Sequence, residues 1–149
     1  MDQTAAQKTK LLLVFDSYRP PDSPLDCFEK YFKPNYVQAL KMGKLIIFLG
    51  DLNCDMLKPT PGSATLTKGT VELNLHQLVK SPTRITESSQ ILVDVIFVSS
   101  PRLVVNSGVI ETCISDHFPV YVSLKRKPTK LYQPISLPAA TINTTLICL

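Results

Sequence analysis

The stretch that decides the fold of this chain is Leu45-Ile46-Ile47-Phe48-Leu49-Gly50-Asp51-Leu52-Asn53. Five apolar residues run into a glycine, which is typical of a buried strand that ends at a turn. Asp51 and Asn53 follow where the strand leaves the sheet, and side chains at positions i and i+2 of an extended segment share one face. Ligands of open α/β folds bind at such strand ends. The pair is therefore either an ordinary turn, which Asp and Asn favour, or part of a site.

The composition is that of one globular domain. The 149 residues are 44% hydrophobic and 19% charged, which is enough for a single core. No apolar run approaches the ~20 residues of a membrane span. Residues 1–8 are polar and lack the apolar segment of a signal peptide. We therefore expect no membrane association and a nuclear or cytoplasmic location. The four cysteines form no CxxC pair, which argues against zinc and disulfides.

The net charge of +4 is concentrated after the last predicted strand, at Lys125, Arg126, Lys127 and Lys130. The other twelve basic residues balance the twelve acidic ones. The basic cluster either contacts phosphates or serves as a nuclear address, or it is a solvated boundary between domain and tail.

The segments before the central strand predict a β-α-β unit. A buried strand is predicted over 11–15, after a polar lead of residues 1–9. Helical spacing of apolar residues then predicts a helix in two parts, broken near Pro34 and ending near Gly43. A strand, a helix and a second strand in this order make the two strands parallel neighbours.

The segments after the central strand predict further strands. A loop is predicted over 55–69 and a short helix that includes His76 over 71–79. Apolar strands follow at 91–98, with Asp94 in the middle, at 108–110 and at 118–124. The remaining sequence loses periodicity. We predict a domain over 10–127 and a loosely ordered tail over 128–149.

Polar residues that the strand pattern places at strand ends or inside strands form the candidate site. They are Tyr18, Asp51, Asn53, Asp94, Asp116 and His117. Carboxylates and an amide without thiolates suit a hard cation such as Mg²⁺ or Mn²⁺. A carboxylate inside an apolar strand is costly unless it is paired, so Asp94 is predicted to hold the ring of His117, as in hydrolases.

Three short motifs, in chain order, resemble the endonuclease/exonuclease/phosphatase superfamily: Gly50-Asp51-Leu52-Asn53, Leu92-Val93-Asp94 and Ser115-Asp116-His117. Two further segments narrow the resemblance to the apurinic-type endonuclease domain of LINE-type (non-LTR) retrotransposons: Tyr18-Arg19-Pro20-Pro21 and Ser81-Pro82-Thr83-Arg84. That domain lies upstream of a reverse transcriptase. The resemblance covers residues 11–127. It implies an α/β (α+β) fold, the C-terminal portion of a four-layer sandwich with mixed sheets flanked by helices.

The resemblance also implies roles in Mg²⁺-assisted hydrolysis of a phosphodiester. Asp51 would position or deprotonate the attacking water or protonate the leaving oxygen, and Asn53 would hydrogen-bond the phosphoryl group. Asp116 would hold the metal. His117, oriented by Asp94, would bind the scissile phosphate and stabilise its developing charge, because such charge needs cationic or hydrogen-bonding neighbours.

The remaining implied residues bind the substrate, which would be DNA. Tyr18 would contact the phosphate near the nucleophile. Arg19, Thr83 and Arg84 belong to the two segments that narrow the resemblance and are predicted to bind the substrate with Asn53 and Tyr18. A reverse transcriptase domain of the parent element is the further partner that the resemblance implies.

Two motifs of the family have no counterpart in this sequence. The family's domain begins with a strand that carries an Asn and a strand that carries the Glu that is its principal metal ligand, and the match here starts at Leu11. We therefore expect a truncated domain that binds Mg²⁺ or Mn²⁺ weakly if at all. The sequence leaves three alternatives open: a DNA endonuclease, an inactive remnant, and another phosphodiesterase or phosphatase branch of the superfamily. A truncated sheet would also expose an apolar face and favour self-association.

Overall fold

A computed structural model of the chain describes residues 12–24, 26–43, 45–125, 133–136 and 143–148. Its strands are β1 (Leu12–Tyr18), β2 (Leu45–Asp51), β3 (His76–Gln77), β4 (Arg84–Ile85), β5 (Gln90–Ile91), β6 (Asp94–Val98), β7 (Val104–Val109), β8 (Val120–Leu124), β9 (Gln133–Ser136) and β10 (Asn143–Cys148). Six strands form one mixed sheet in the order β3-β6-β2-β1-β10-β9. Two further pairs, β4-β5 and β7-β8, are antiparallel. The predicted α+β fold class with a mixed sheet is confirmed.

The first half of the chain forms the predicted β-α-β unit. β1 and β2 are parallel neighbours, with Leu12 opposite Leu45. Their connection contains a π-helical turn at Phe28–Phe32 and helix α1 at Lys33–Lys41. Pro34 lies in the first turn of α1, where a missing backbone N–H costs nothing. The predicted break near Pro34 therefore corresponds to the change from the π-helical turn to the α-helix.

An aromatic cluster packs this helical segment on one face of the sheet. Phe15 and Phe48 are register partners on β1 and β2 and lie on the same face. The ring of Phe32 approaches them with centroid distances of 5.8 Å and 4.2 Å, and the ring of Phe28 lies 6.3 Å from that of Phe48. None of the helices in the described ranges has the length and hydropathy needed to cross a membrane.

The opposite face of the sheet is covered by the β7-β8 hairpin. Ile47 and Val98 are register partners on β2 and β6 and therefore alternate with the aromatic residues. Half-buried side chains of β8, among them Val120, Val122 and Leu124, pack against the core from this side. The central strands β1, β2 and β6 thus pack against helices on one face and against the hairpin on the other.

The predicted loop over 55–69 and helix over 71–79 were placed wrongly. Helix α2 spans Pro61–Glu72. Thr60 caps it, because its Oγ1 accepts a hydrogen bond from the Ser63 backbone N–H while Ser63 Oγ accepts one from the Thr60 N–H. The residues Thr60 to Ser63 have the composition of a turn, but the same residue types begin a helix when Pro occupies its first position. His76 lies on edge strand β3, opposite Val98, and is exposed.

Asp94 is the first residue of β6 rather than the middle of a longer strand. The predicted strand over 91–98 is divided, because Ile91 belongs to β5, which pairs with β4. This division places Asp94 at a strand end, directly opposite Asp51 of the antiparallel neighbour β2. The predicted strand over 108–110 is longer than expected and begins at Val104.

Two strands lie within the predicted tail where the structure describes it. β10 pairs antiparallel with β1, so that Asn143 lies opposite Tyr18, and β9 pairs with β10. Loose order was predicted for both segments, and their Thr, Ile and Leu content is compatible with strands. The lead of residues 1–9, residues 126–132, which hold three of the four clustered basic residues, and residues 137–142 and 149 lie outside the described residues. The division into lead, domain and tail stays a prediction.

Candidate active site

Three titratable side chains meet at one end of the central sheet. Asp51 ends β2, and Asp94 begins β6 directly opposite to it. His117 reaches the same place from the segment before β8. One potential ligand atom of each of the three side chains lies within 4.8 Å of the other two. The sequence predicted all three residues as site residues, and the structure brings them together.

The segment that carries His117 is held along β4. The Ile85 N–H donates to the Asp116 carbonyl at 2.9 Å, and the Phe118 N–H donates to the Thr83 carbonyl at 2.7 Å. His117 therefore forms an isolated antiparallel bridge with Arg84. This pairing fixes the position of the His117 backbone, from which the imidazole extends toward Asp94.

The contact between His117 and Asp94 was predicted and is confirmed. Nδ1 of the ring lies 3.1 Å from Asp94 Oδ2. Asp94 is itself held by Thr83, whose Oγ1 accepts hydrogen bonds from the Val93 and Asp94 N–H groups at 3.1 Å and 3.0 Å. Because Nδ1 faces the carboxylate, Nε2 is the ring nitrogen left to meet another group.

Asp51 and Asn53 form a turn, and their side chains are also hydrogen-bonded to each other. The Asn53 N–H donates to Asp51 Oδ1 at 2.8 Å, which is an Asx turn. The side-chain amide Nδ2 of Asn53 donates to Asp51 Oδ2 at 3.2 Å and to the Arg19 carbonyl at 3.0 Å. Asn53 has a φ of 45°, the left-handed region that Asn tolerates better than most residues. The two interpretations of this pair, a turn and part of a site, are therefore compatible.

Gly50 allows β2 to approach β1 closely at this end of the sheet. A Cβ atom at Gly50, whose φ is 143°, would lie 1.7 Å from the Ser17 carbonyl oxygen. No L side chain fits there. The glycine before Asp51 is thus a requirement of the strand packing.

Burial raises the pKa of the Asp51 carboxyl group above its usual value. The nearby Asp94 carboxylate adds to the increase, because like charges disfavour ionisation. The hydrogen bond from the Asn53 N–H and the charges of His117 and Arg84 act in the opposite direction. A carboxyl group with a raised pKa at a strand end is a reasonable candidate for proton transfer.

Asp116 lies outside this three-residue cluster and is ion-paired. Arg84 Nε donates to Asp116 Oδ2 at 2.7 Å, and both side chains are well exposed, at 38% and 45%. The hydrogen bond from Arg84 lowers the pKa of the Asp116 carboxyl. The Arg84 guanidinium therefore competes with a cation for the Asp116 carboxylate, and the metal-ligand role of Asp116 stays a prediction. In the described part of the chain, Asp51, Asp94 and His117 are the group able to hold a metal ion.

Two residues predicted to bind the substrate are buried instead. Arg19 is 6% exposed, and Thr83 has no exposed surface. Their polar atoms bond to the backbone around the site, so the structure does not support direct substrate contact for either. No pattern in the sequence indicated that Arg19 and Thr83 support the site by hydrogen bonds to its backbone. Tyr18 is 45% exposed at the end of β1, as a substrate contact requires.

The fold is similar to a solved structure described as "Endonuclease domain of TRAS1, a telomere-specific non-LTR retrotransposon". The TM-score is 0.59 and the identity 28%, over 72% of this chain and 52% of that one. This similarity supports the predicted relationship to LINE-type endonucleases and their superfamily. The chain spans about half the length of the TRAS1 domain.

A second solved structure is an endonuclease/exonuclease/phosphatase family protein from Leptotrichia buccalis C-1013-b. Its TM-score is 0.44 and its identity 21%, over 60% of this chain and 40% of that one. No protein-family model matches the chain, and a search of curated proteins finds no match.

Proposed function

We propose that this chain carries the catalytic face of a metal-dependent phosphodiesterase that cleaves DNA. The observation that carries the proposal is the convergence of Asp51, Asp94 and His117 at one strand end. A half-buried acid that orients an imidazole, next to a second acid with a raised pKa, is a set of groups that can activate water and stabilise charge on phosphate. The similarity to a retrotransposon endonuclease domain supports DNA as the substrate.

The donor set of the cluster fits a hard divalent cation. The two carboxylates of Asp51 and Asp94 suit Mg²⁺ or Mn²⁺. A cation held by these carboxylates would supply charge neutralisation at the phosphoryl oxygens and would leave Nε2 of His117 for the phosphate. Asp116 fits this role less well, since its carboxylate is paired with Arg84.

The residues of the chain would share the other tasks. Asp51 would orient the attacking water and accept its proton, for which a raised pKa is favourable. His117 would donate a hydrogen bond from Nε2 to the scissile phosphate while Asp94 holds Nδ1. Asp94 would act on the substrate through His117 and through the cation, without touching the substrate itself.

Substrate contacts are proposed for three residues around the cluster. The exposed phenol of Tyr18 would hydrogen-bond a phosphate next to the scissile one. The Arg84 guanidinium interacts electrostatically with Asp51 and Asp94 as well as Asp116, so it lies where a phosphate would reach it. Asn53 would contribute its amide, which requires one of its two present hydrogen bonds to open.

An inactive remnant is the second candidate function. It is favoured by the ion pair between Arg84 and Asp116, which engages a carboxylate that is predicted to bind the metal. Partnership with a reverse transcriptase, self-association through a sheet face, and a nuclear or cytoplasmic location stay predictions.

Nicking of supercoiled plasmid by the purified full chain tests the proposal. We expect nicking with Mg²⁺ or Mn²⁺ and none with EDTA, and a loss of at least about 100-fold for Asp51→Asn and His117→Gln. Asp22→Asn is the matched control, because Asp22 is exposed in a turn outside the site. Equal nicking by Asp51→Asn and the unmodified protein would reject the proposal.

A second substrate separates the branches of the superfamily. Bis(p-nitrophenyl) phosphate reports phosphodiester hydrolysis without DNA binding. Hydrolysis of this ester but not of plasmid would favour a small-substrate phosphodiesterase. Inertness toward both, with the cation bound, would favour the remnant.

A further inference from the structure

A buried arginine lies beneath the candidate active site. The guanidinium of Arg19 is bonded to backbone carbonyls alone. Nε donates to the Leu52 carbonyl at 2.6 Å and Nη2 to the Asn53 carbonyl at 2.7 Å. Nη1 donates to the carbonyls of Pro21, at 3.4 Å, and of Ser23. One side chain therefore ties the turn after β2 to the turn after β1.

The backbone of Arg19 is bonded to the same turn. Its N–H donates to the Asp51 carbonyl at 2.9 Å. Its carbonyl accepts a hydrogen bond from Asn53 Nδ2 at 3.0 Å. Both hydrogens of the Asn53 side-chain amide are thereby engaged, one by Arg19 and one by Asp51 Oδ2.

The turn needs such support because Asn53 is in a left-handed conformation. A φ of 45° is unfavourable for a residue that carries a side chain and persists where the surroundings fix it. Two of the four carbonyls that Arg19 binds, those of Leu52 and Asn53, flank the Asn53 backbone. Rotation of this backbone would break at least one of these bonds.

We propose that Arg19 is a positioning residue that fixes the turn after β2, so that the Asn53 amide faces the Asp51 carboxylate. The importance of Arg19 for cleavage rests on the proposed function, whereas its role in fixing the turn does not. The geometry requires a planar fork of N–H donors that spans neighbouring carbonyls. A lysine ammonium is a compact donor that keeps the charge but cannot reach carbonyls on both turns at once.

The substitution Arg19→Lys in the full chain tests the proposal, with the exposed Arg102→Lys as matched control. The first readout is nuclear magnetic resonance and needs no activity. We expect the Asn53 side-chain amide signal to shift and the Asn53 backbone N–H to exchange about tenfold faster. The Leu52 N–H, which donates to the Val93 carbonyl, should keep its exchange rate within about twofold.

The second readout is how the effect of Arg19→Lys on plasmid nicking divides between kcat and KM. A displaced turn should lower kcat by about 100-fold and leave KM for DNA within about threefold, because positioning acts on the reacting geometry rather than on DNA binding. Arg102→Lys should change neither constant.

Each contrary result overturns a defined part of the proposal. An unchanged Asn53 amide in folded Arg19→Lys protein would show that the turn holds itself. Loss of the whole fold would assign Arg19 to the core rather than to this turn. A raised KM with unchanged kcat would indicate direct DNA contact instead. If the unmodified protein does not nick DNA, the proposed function fails, while the amide readout still decides the role of Arg19.

Discussion

Replacing Asp51 with Asn should make the metal-free protein more stable at neutral pH. Asp51 and Asp94 lie opposite each other, with oxygens within 4.8 Å. Two like charges at this separation repel by about 1 kcal/mol in water and about 3.5 kcal/mol at an effective dielectric constant of 20. The Asn side chain keeps an acceptor for the Asn53 N–H but loses the charge-assisted bond to Nδ2. We expect a net gain of about 1 kcal/mol in the free energy of unfolding.

The gain should depend on pH with a defined sign. The pKa of Asp51 is raised in the folded protein, so the folded state binds this proton more tightly than the unfolded state, whose value is near 3.8. Above the folded pKa the ionised carboxylate destabilises the fold in full. As the pH falls through the folded pKa toward the unfolded one, Asp51 takes up its proton and the advantage of Asp51→Asn disappears.

Urea denaturation in EDTA at pH 7 and pH 4 measures this difference, and Asp22→Asn controls for the loss of an exposed carboxylate. Adding Mn²⁺ at pH 7 should reverse the order, because an ion that binds the folded protein stabilises it by mass action. The reasoning is refuted if Asp51→Asn is less stable than the unmodified protein at pH 7 in EDTA, or if its advantage is equal at both pH values.

Three further substitutions test the supports of the site. Thr83→Val should lower the free energy of unfolding by about 2 kcal/mol in urea denaturation, because two buried N–H groups lose their acceptor, and Thr83→Ser should restore most of it. Gly50→Ala should cost about 3 kcal/mol or more through its clash with the Ser17 carbonyl, whereas Gly43→Ala, with free space around it, should cost only about 1 kcal/mol for its φ of 64°. Asp94→Asn should reduce plasmid nicking by about 100-fold, since Asp94 acts through the imidazole of His117. The hydrogen-exchange rate of the Asn53 backbone N–H should stay unchanged, in contrast to Arg19→Lys.

The sequence predicted the site where strand periodicity and burial cost determined the answer. A buried strand that ends in Gly50-Asp51 placed the first acid, and an acid in an apolar segment implied a partner for Asp94. The chain offers only two histidines, and His117 was the one next to a strand with alternating burial. The contact between Nδ1 and Asp94 follows from these constraints.

The sequence could not predict which polar residues face inward. Tyr18 and Arg19 are neighbours at a strand end, yet the first is exposed and the second buried. Nothing local decides this, because the carbonyls that bind Arg19 come from residues 52 and 53, more than thirty positions away. Asp116 shows the same limit, since its ion pair with Arg84 depends on the path of the segment before β8. Helix α2 was missed for a different reason, because its capping residues are also turn formers.

The energetics of the turn after β2 favour the interpretation that a polar site is built on it. An Asx turn needs only Asp51 and the N–H of Asn53. It does not require a second carboxylate directly opposite, whose charge adds to the effect of burial on the pKa of Asp51 and is expected to destabilise the fold at neutral pH. It also does not require a left-handed Asn53 held by a buried guanidinium. Features that cost stability and are rigidly supported are characteristic of functional sites, so a polar site built on a turn explains this strand end better than a turn alone.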